Sequence, residues 1–511
     1  MISPSRWTES TAEFFERPLQ RLRLGYAAWL FGVFCYFLPA ATWSPVSRFN
    51  VTRAIVEQGT LSIDSFADST GDRAFHDGHW YSDKAPLPAL LALPAYQAYH
   101  ILDRARGKAP SYEARGTAER PAARITVNRS FQRGLYVCSL STVALSGVAL
   151  GLILFELLRR RVSTPQALWG SAATLLCTCI FPYATGFYGH VMAGAFLAAG
   201  VWLLDAHERP ESPITAVETG GDVPPTWGRA AGAGACLTAA VGCEYLAAVP
   251  ALVIALAMLA RHPRASWPRW VLGMLAGALG PGLIIGAYHS VCFGAPWRTG
   301  YSFIVNSRFA AGHASGFLGI RLPRIEAIGG LLFGRFRGLF YVAPVALLLL
   351  IGALARARQR DGAALAGVLA FVALLLVNSS YYMWWGGAAA GPRHLVPVIG
   401  LLALGVPWVM AQRWSRWALV VLGGVSALNM LVIAGVGLEA PERGDVLFDF
   451  AYARLLQGRL SSIAGASNLG LEFGLVRGGT LGPLLVWMLG GAHILSRQVH
   501  ELLGAPRLAE T

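Results

Sequence analysis

The apolar residues of this chain are gathered into blocks of 18 to 22 residues that contain no Asp, Glu, Lys or Arg, and the blocks recur along most of its length. At 1.5 Å per residue each can cross the ~30 Å hydrocarbon core of a bilayer as a helix. Lipid offers no partner to a backbone N–H or C=O, so such a block must close its hydrogen bonds within itself, and the helix is the element that does so. Only 14% of the 511 residues are charged while 55% are hydrophobic, against about 25% charged in soluble proteins. A water-soluble enzyme is excluded, and the expected class is an all-α polytopic membrane protein.

The blocks run over 24–43, 134–155, 166–184, 186–204, 271–288, 338–355, 362–383, 395–412, 417–438 and 479–496. The apolar stretch 230–260 would be roughly 46 Å long as one helix, too long to cross without strong tilt. Read as two short crossings with Glu244 at their outer tip, it places Arg159–Arg161, Arg261, Arg264, Arg269, Arg356, Arg358, Arg360, Arg413 and Arg416 on one face, as cytoplasmic retention of Lys and Arg requires. A carboxylate at that tip also avoids the ~2.5 kcal/mol or more that mid-membrane placement costs. The net charge of +14, which in a soluble chain would suggest a polyanion partner, is read here as a topology signal, and no nucleic acid is expected.

About twelve crossings follow, with both termini cytoplasmic. Residues 1–23 form a cytoplasmic flank and not a cleavable leader, since the block after them exceeds a signal-peptide core. Residues 24–44 are the first crossing, 45–133 a large outer loop, 134–290 crossings two to seven, 291–337 an Arg-rich outer loop, 338–438 crossings eight to eleven, 439–478 a third outer loop, and 479–511 the last crossing and a tail. Within the first loop, 49–58 is weakly helical in period and ends at Gly59, which suits a C-cap, so it is expected along the membrane surface. Residues 87–102, apolar but interrupted by Pro88 and Pro94, read as an interfacial or re-entrant helix. The polar stretch 103–129 is a candidate lid, and 205–229, with four prolines, a linker. The seven cysteines are an odd number lying in or beside apolar blocks, without disulfide or zinc-ligand spacing.

Two outer loops carry chemistry. The first holds Glu57, Asp64, Asp68, Asp72, Asp77 and Asp83 within a short interval in which Arg73 and Lys84 are the only cationic company. The second holds Arg298, Arg308, Arg321, Arg324, Arg335 and Arg337 against one acid, Glu326, contrary to the retention rule that the other loops obey. Guanidinium groups near headgroups suit phosphate, which they bind in bidentate fashion. An acidic loop facing an arginine loop can hold a phosphate leaving group on one side and take a proton from an acceptor on the other, the layout of a glycosyl transfer. No phosphate-binding glycine motif stands between a strand and a helix, which favours a lipid-linked donor over a nucleotide. Arg393 and His394 beside Trp384 and Trp385 form a candidate sugar or phosphate wall, as do His190 and Tyr188 at the mouth of a helix. His76 and His79 with Asp72 or Asp77 could ligate a divalent metal, although a polar turn explains them equally, and no cofactor or metal is assigned.

Several segments resemble the GT-C membrane glycosyltransferases of the aminoarabinose-transferase and protein O-mannosyltransferase group. They are RFNVTRAIVEQGTLSID from Arg48, GHWYSDKAPLPALLALPAY from Gly78, YGH at Tyr188, the pair Glu244 and Tyr245, FGAPWRTGY from Phe293, FGRFRGLF from Phe333 and YYMWWGGAAAGPRHLVP from Tyr381. The resemblance implies single displacement with inversion, from a polyprenyl-phosphate sugar to an acceptor at the outer face of the bacterial inner membrane. It also implies that Lys84 contacts the carrier phosphate; Arg335, Arg337 and Arg393 are, by their charge, further candidate phosphate ligands. His190, Tyr188, Glu244, Tyr245, Trp384, Trp385 and His394 are then candidates for the sugar or acceptor. One departure matters: where the group carries an acidic pair after its first helix, this chain reads Ser44, Pro45, Val46, Ser47. Another carboxylate must then be the base, and Asp83, Asp64 and Glu57 are the candidates. A ligase or polymerase of lipid-linked oligosaccharides, and a secondary transporter or lipid flippase, are the rival readings.

Overall fold

Each apolar block is helical over most of its length in the computed structural model, which describes residues 5–115, 124–205, 226–316, 318–460 and 465–504. Residues 206–225 of the expected linker, residues 116–123 of the expected lid, and parts of both terminal segments lie outside these. Six helical runs have the length and composition to cross a bilayer: Arg129–Arg159, Arg264–Phe293, Gly362–Ser380, Arg393–Ala411, Arg413–Val436 and Arg477–Gly504. The helix Ser5–Phe34 and the shorter apolar helices Thr164–Leu176, His190–Leu204, Trp227–Cys243, Ala248–Leu259 and Val345–Arg358 complete the bundle. The few strands are short antiparallel pairs outside the helices. The chain is an all-α integral membrane protein.

Breaks in the helices fall where the sequence supplies a reason. The stretch 230–260 parts at Glu244, whose backbone is extended (φ −154°, ψ 114°), into Trp227–Cys243 and Ala248–Leu259. The first helix stops at Phe34, earlier than its apolar block. Phe37 and Leu38 then turn out to pair with Asn468 and Ser467 of the third outer loop. The first and last crossings are joined reciprocally: Trp29 Nε1 donates to the Met488 carbonyl at 3.1 Å, and Trp487 Nε1 to the Trp29 carbonyl at 3.0 Å.

The first outer loop is built in layers. Trp43–Arg53 is helical and runs on through a π-turn at Ala54–Gln58 to Gly59, which caps it in the left-handed region. This helix does not lie on the surface as its sequence suggested: every residue from Ser44 to Arg53 is buried. Leu93–Ala105 and Arg129–Ser139 cover it, with the Phe49 ring 5.1 Å from both Tyr96 and Phe131. A hairpin of Arg73–His76 and His79–Ser82 turns at Asp77 and Gly78, and Ala74 bridges to Ile304 of the second loop. Leu87–Leu91 and Leu93–Ala105 replace the single interfacial helix expected over 87–102, leaving Leu91, Ile101 and Leu102 bare.

At the other end, Arg161, 1% exposed, pairs with Asp205 (2.9 Å) and Asp361 (2.8 Å), and Arg356 joins Asp361 at 3.0 Å. Asp205 follows the helix that begins at His190, so the two ends of that helix are ~22 Å apart.

Candidate functional site

A cavity of about 290 Å³ opens where the long loop 45–133 meets the neighbouring ends of the helices. Its acidic and basic lining comes from Asp72, Asp83, Lys84, Arg393, His394, Glu439 and Glu442, and its aromatic lining from Trp43, Tyr188, Tyr301, His313, Tyr381 and Tyr382. Such mixed walls suit a sugar, whose faces are apolar and whose edges are hydroxyls.

Lys84 sits between two carboxylates, its Nζ 3.0 Å from Asp72 Oδ2 and 3.2 Å from Asp83 Oδ2. The hairpin sets this arrangement: Asp83 follows its second strand, and Asp72 precedes its first strand, opposite. Ser47 Oγ, on the buried helix, donates to the Asp72 carbonyl at 2.6 Å and shares a hydrogen bond with Ser82 Oγ at 2.7 Å. Asp83 is 2% exposed and its Oδ1 has no hydrogen-bond partner. Burial pushes its pKa up to about 6, with Lys84 pulling it down and Asp72 adding to the rise. Lys84 stays cationic, because the carboxylates of Asp72 and Asp83 outweigh the effect of its burial.

Close packing at Gly300, within the FGAPWRTGY segment, brings the second loop onto this pair. A Cβ there would stand 2.6 Å from Asp83 Cα. The next residue, Tyr301, lies under Lys84 (5.8 Å from Nζ to the ring centroid) and stacks on His313 at 4.9 Å.

Arg393 and Glu439 line the same cavity. The Arg393 guanidinium lines the cavity with its Nε buried and unpartnered, and no carboxylate lies within 4 Å of it among the described residues. Glu439 Oε1 accepts from Tyr188 Oη (3.0 Å) and Thr42 Oγ1 (3.1 Å), while its Oε2 is buried without a partner. Burial raises the pKa of Glu439, against the hydrogen bonds from Tyr188 and Thr42. Behind this wall His190 Nδ1 lies 3.1 Å from Glu244 Oε2, and Arg48 Nη2 lies 3.7 Å from the same oxygen.

Of the residues singled out in the sequence, Asp83, Lys84, Arg393, Tyr188 and His394 therefore meet at one cavity. His190, Glu244 and Tyr245 stand one layer back, Tyr245 hydrogen-bonded to His289 Nε2 at 2.8 Å with its ring 5.7 Å from Tyr301. Trp385 reaches the rim through Glu442, to which its Nε1 donates at 3.2 Å, and Trp384 packs on Phe336 and Trp385.

Four residues lie elsewhere. Glu57 binds Arg53 (2.9 Å) and the Tyr96 hydroxyl (2.6 Å), a lock that ties the buried helix to its cover. Asp64 opens the short helix Asp64–Ser69 and accepts from the Trp80 N–H at 2.6 Å, with His79 Nδ1 at 2.7 Å. Arg335 is exposed outside the lining. Arg337 is fully buried and donates to the carbonyls of Phe336, Trp385, Gly387, Ala440 and Pro441, so it binds backbone where phosphate was expected. His76 packs on the Phe303 ring at 4.4 Å and does not join His79 as a ligand set.

Asp72, Thr42, Glu439, Tyr301, His313, Tyr381 and Tyr382 were not assigned to this site from sequence. For Glu439 one signal was present: it is the first acid after the apolar block 417–438.

No family model matches the chain, and no curated protein matches it. Among solved structures it is similar to ArnT from Cupriavidus metallidurans bound to undecaprenyl phosphate, at 16% identity over 98% of this chain and 78% of that one, with a TM-score of 0.51. The apo state of the same protein aligns at 15% identity over 97% and 78%, with a TM-score of 0.48. The expected architecture holds: the chain has the polytopic helical fold of ArnT.

Proposed function

We propose that this chain is a membrane glycosyltransferase that moves a sugar from a polyprenyl-phosphate carrier to an acceptor at the outer face of a bacterial inner membrane, with both termini cytoplasmic. The observation that carries this reading is the unpaired Arg393 guanidinium across one cavity from Lys84 and a buried carboxylate with a free oxygen. Arg393 is half-buried with its Nε sealed from solvent, and a desolvated, unpaired cation is costly unless an anion completes it. The structural relative ArnT holds undecaprenyl phosphate, which is such an anion.

The acceptor hydroxyl or amine attacks the anomeric carbon as its proton passes to Asp83 Oδ1, and the bond from that carbon to the phosphate oxygen breaks. The electron pair leaves with the phosphate, whose charge Lys84 and Arg393 neutralise. A carboxylate with a pKa of about 6 is ionised at neutral pH and still basic enough to accept a proton in the transition state. Glu439 is the second candidate base. Its bond to Thr42 sets a carboxylate beside Ser44, close to where the resemblance expects an acid after the first helix.

The test is native mass spectrometry of the purified protein with undecaprenyl phosphate. Lys84→Ala and Arg393→Ala should each weaken binding at least tenfold, while folded Arg337→Ala should bind as wild type does. Absence of binding to the wild type would overturn the reading.

A further inference from the structure

We propose that His190, Glu244 and His394 form a binding site for one divalent metal ion of the zinc class, set in the wall of the cavity. The inference rests on ligand geometry and does not depend on the transferase reading. One donor atom from each of the three lies within 4.8 Å of the other two. They arrive from segments far apart in sequence: the first residue of the helix His190–Leu204, the break at Glu244, and the turn Arg393–Leu395. His190 and Glu244 are 3% and 6% exposed. His190 Nδ1 stands 3.1 Å from Glu244 Oε2, yet neither atom completes a hydrogen bond, and His394 Nδ1 is likewise buried and unpartnered. Donor atoms of two imidazoles and a carboxylate brought this close, with His190 Nδ1, Glu244 Oε2 and His394 Nδ1 lacking hydrogen bonds, are expensive as a structural feature and ordinary as a coordination shell.

Two imidazole nitrogens and one carboxylate oxygen suit zinc, and three protein ligands leave a fourth position open. Bonds of ~2.1 Å in tetrahedral geometry separate ligand atoms by roughly 3.4 Å. The His190 and Glu244 atoms, 3.1 Å apart, are close to this spacing, and His394 offers a donor within 4.8 Å of both. Because His394 also lines the cavity, the open position is accessible to an oxygen of whatever the cavity holds. The packing enforces the approach. A Cβ on Gly189 would stand 1.9 Å from the Cys243 carbonyl oxygen, so only glycine lets the His190 helix start against the Glu244 break. The charges near the site are Arg48, 3.7 Å from Glu244 Oε2, Arg393, adjacent to His394 in sequence, and Asp72, Asp83, Lys84 and Glu439, which line the same cavity as His394. Arg48 is drawn aside by Ser44, whose carbonyl and hydroxyl accept from its Nη1 at 3.2 and 2.6 Å.

The full chain, purified in detergent and stripped with a chelator, would be titrated with Zn²⁺, and with Co²⁺ as a spectroscopic substitute. One metal ion per chain, a rise in Tm on loading, and the visible absorption of tetrahedral cobalt are expected. His190→Gln and His394→Gln should each weaken binding at least tenfold. His394, nearer the cavity, is the variant to rely on if His190→Gln does not fold. No stoichiometric metal in folded wild type, or unchanged affinity in a folded His394→Gln, would overturn the proposal and leave Glu244 as a carboxylate balanced by Arg48 alone. A wild type that binds carrier but not zinc defeats this inference only; one that binds zinc but not carrier defeats the transferase reading only.

Discussion

Asp83 is the residue whose ionisation the fold has altered most usefully. Its folded pKa of about 6 lies above the ordinary 3.8, chiefly through burial, so the basic form accumulates as pH rises through 6. Turnover should therefore climb between pH 5 and 7, and Asp83→Asn should lower it by ~10²-fold or more and abolish that limb. Carrier binding measured on the same variant should survive. The sign for stability is opposite: ionising a group whose folded pKa is raised opposes folding, so Asp83 contributes most at low pH and loses that contribution as pH rises from about 4 to 6. Residues of this kind were legible where polar groups interrupt apolar sequence, as in SDK at Ser82 to Lys84 and GPRH at Gly391 to His394. Asp72 and Glu439 were not, because they join the site only through contacts with residues 12 to 397 positions away in sequence. Arg337 was misread for a physical reason: a guanidinium without a carboxylate nearby in sequence can be satisfied by carbonyls as well as by phosphate.

Between elements, the informative contacts are those that leave no slack. Arg337 holds the turn at Trp385 and Gly387 against the one at Ala440 and Pro441, and these turns lead to Arg393 and from Glu439. Arg337→Ala strands several buried carbonyls and should cost on the order of 3 kcal/mol, read as a fall in Tm that is independent of carrier concentration. Gly300→Ala forces a methyl group against Asp83 Cα; a loss of ~1–3 kcal/mol together with a shifted pH profile is expected, whereas an unchanged profile would show that the second loop does not position Asp83. The helix Trp43–Arg53 shows why surface placement was the wrong expectation. Its periodicity is weak because all of its faces are covered, and polar residues such as Ser47 and Thr52 are matched by partners in the covering layers. A weak hydrophobic stripe marks a helix enclosed all round as readily as one lying on a membrane.

Across the whole molecule, charged groups gather at two opposite ends. The Arg161, Asp205, Asp361 and Arg356 cluster and the cavity occupy opposite ends of the helices His190–Leu204 and Gly362–Ser380. A cysteine introduced as Asp77→Cys in the exposed hairpin turn should react with an impermeant maleimide added to spheroplasts, and Arg360→Cys only after lysis; the reverse pattern would invert the topology. The number and order of apolar helices were readable from sequence because each block is a local signal. Where the first helix stops was not, since its end is set by pairing of Phe37 and Leu38 with residues some 430 positions later. That pairing, with the reciprocal Trp29 and Trp487 bonds, bears on biogenesis. The helix Ser5–Phe34 has its partner in Arg477–Gly504, more than 400 residues later, so it must wait in the lipid, unmatched on that side, until the later helix has been made. Truncations that spare every cavity residue but remove Arg477–Gly504 should yield protein that inserts and then fails to mature.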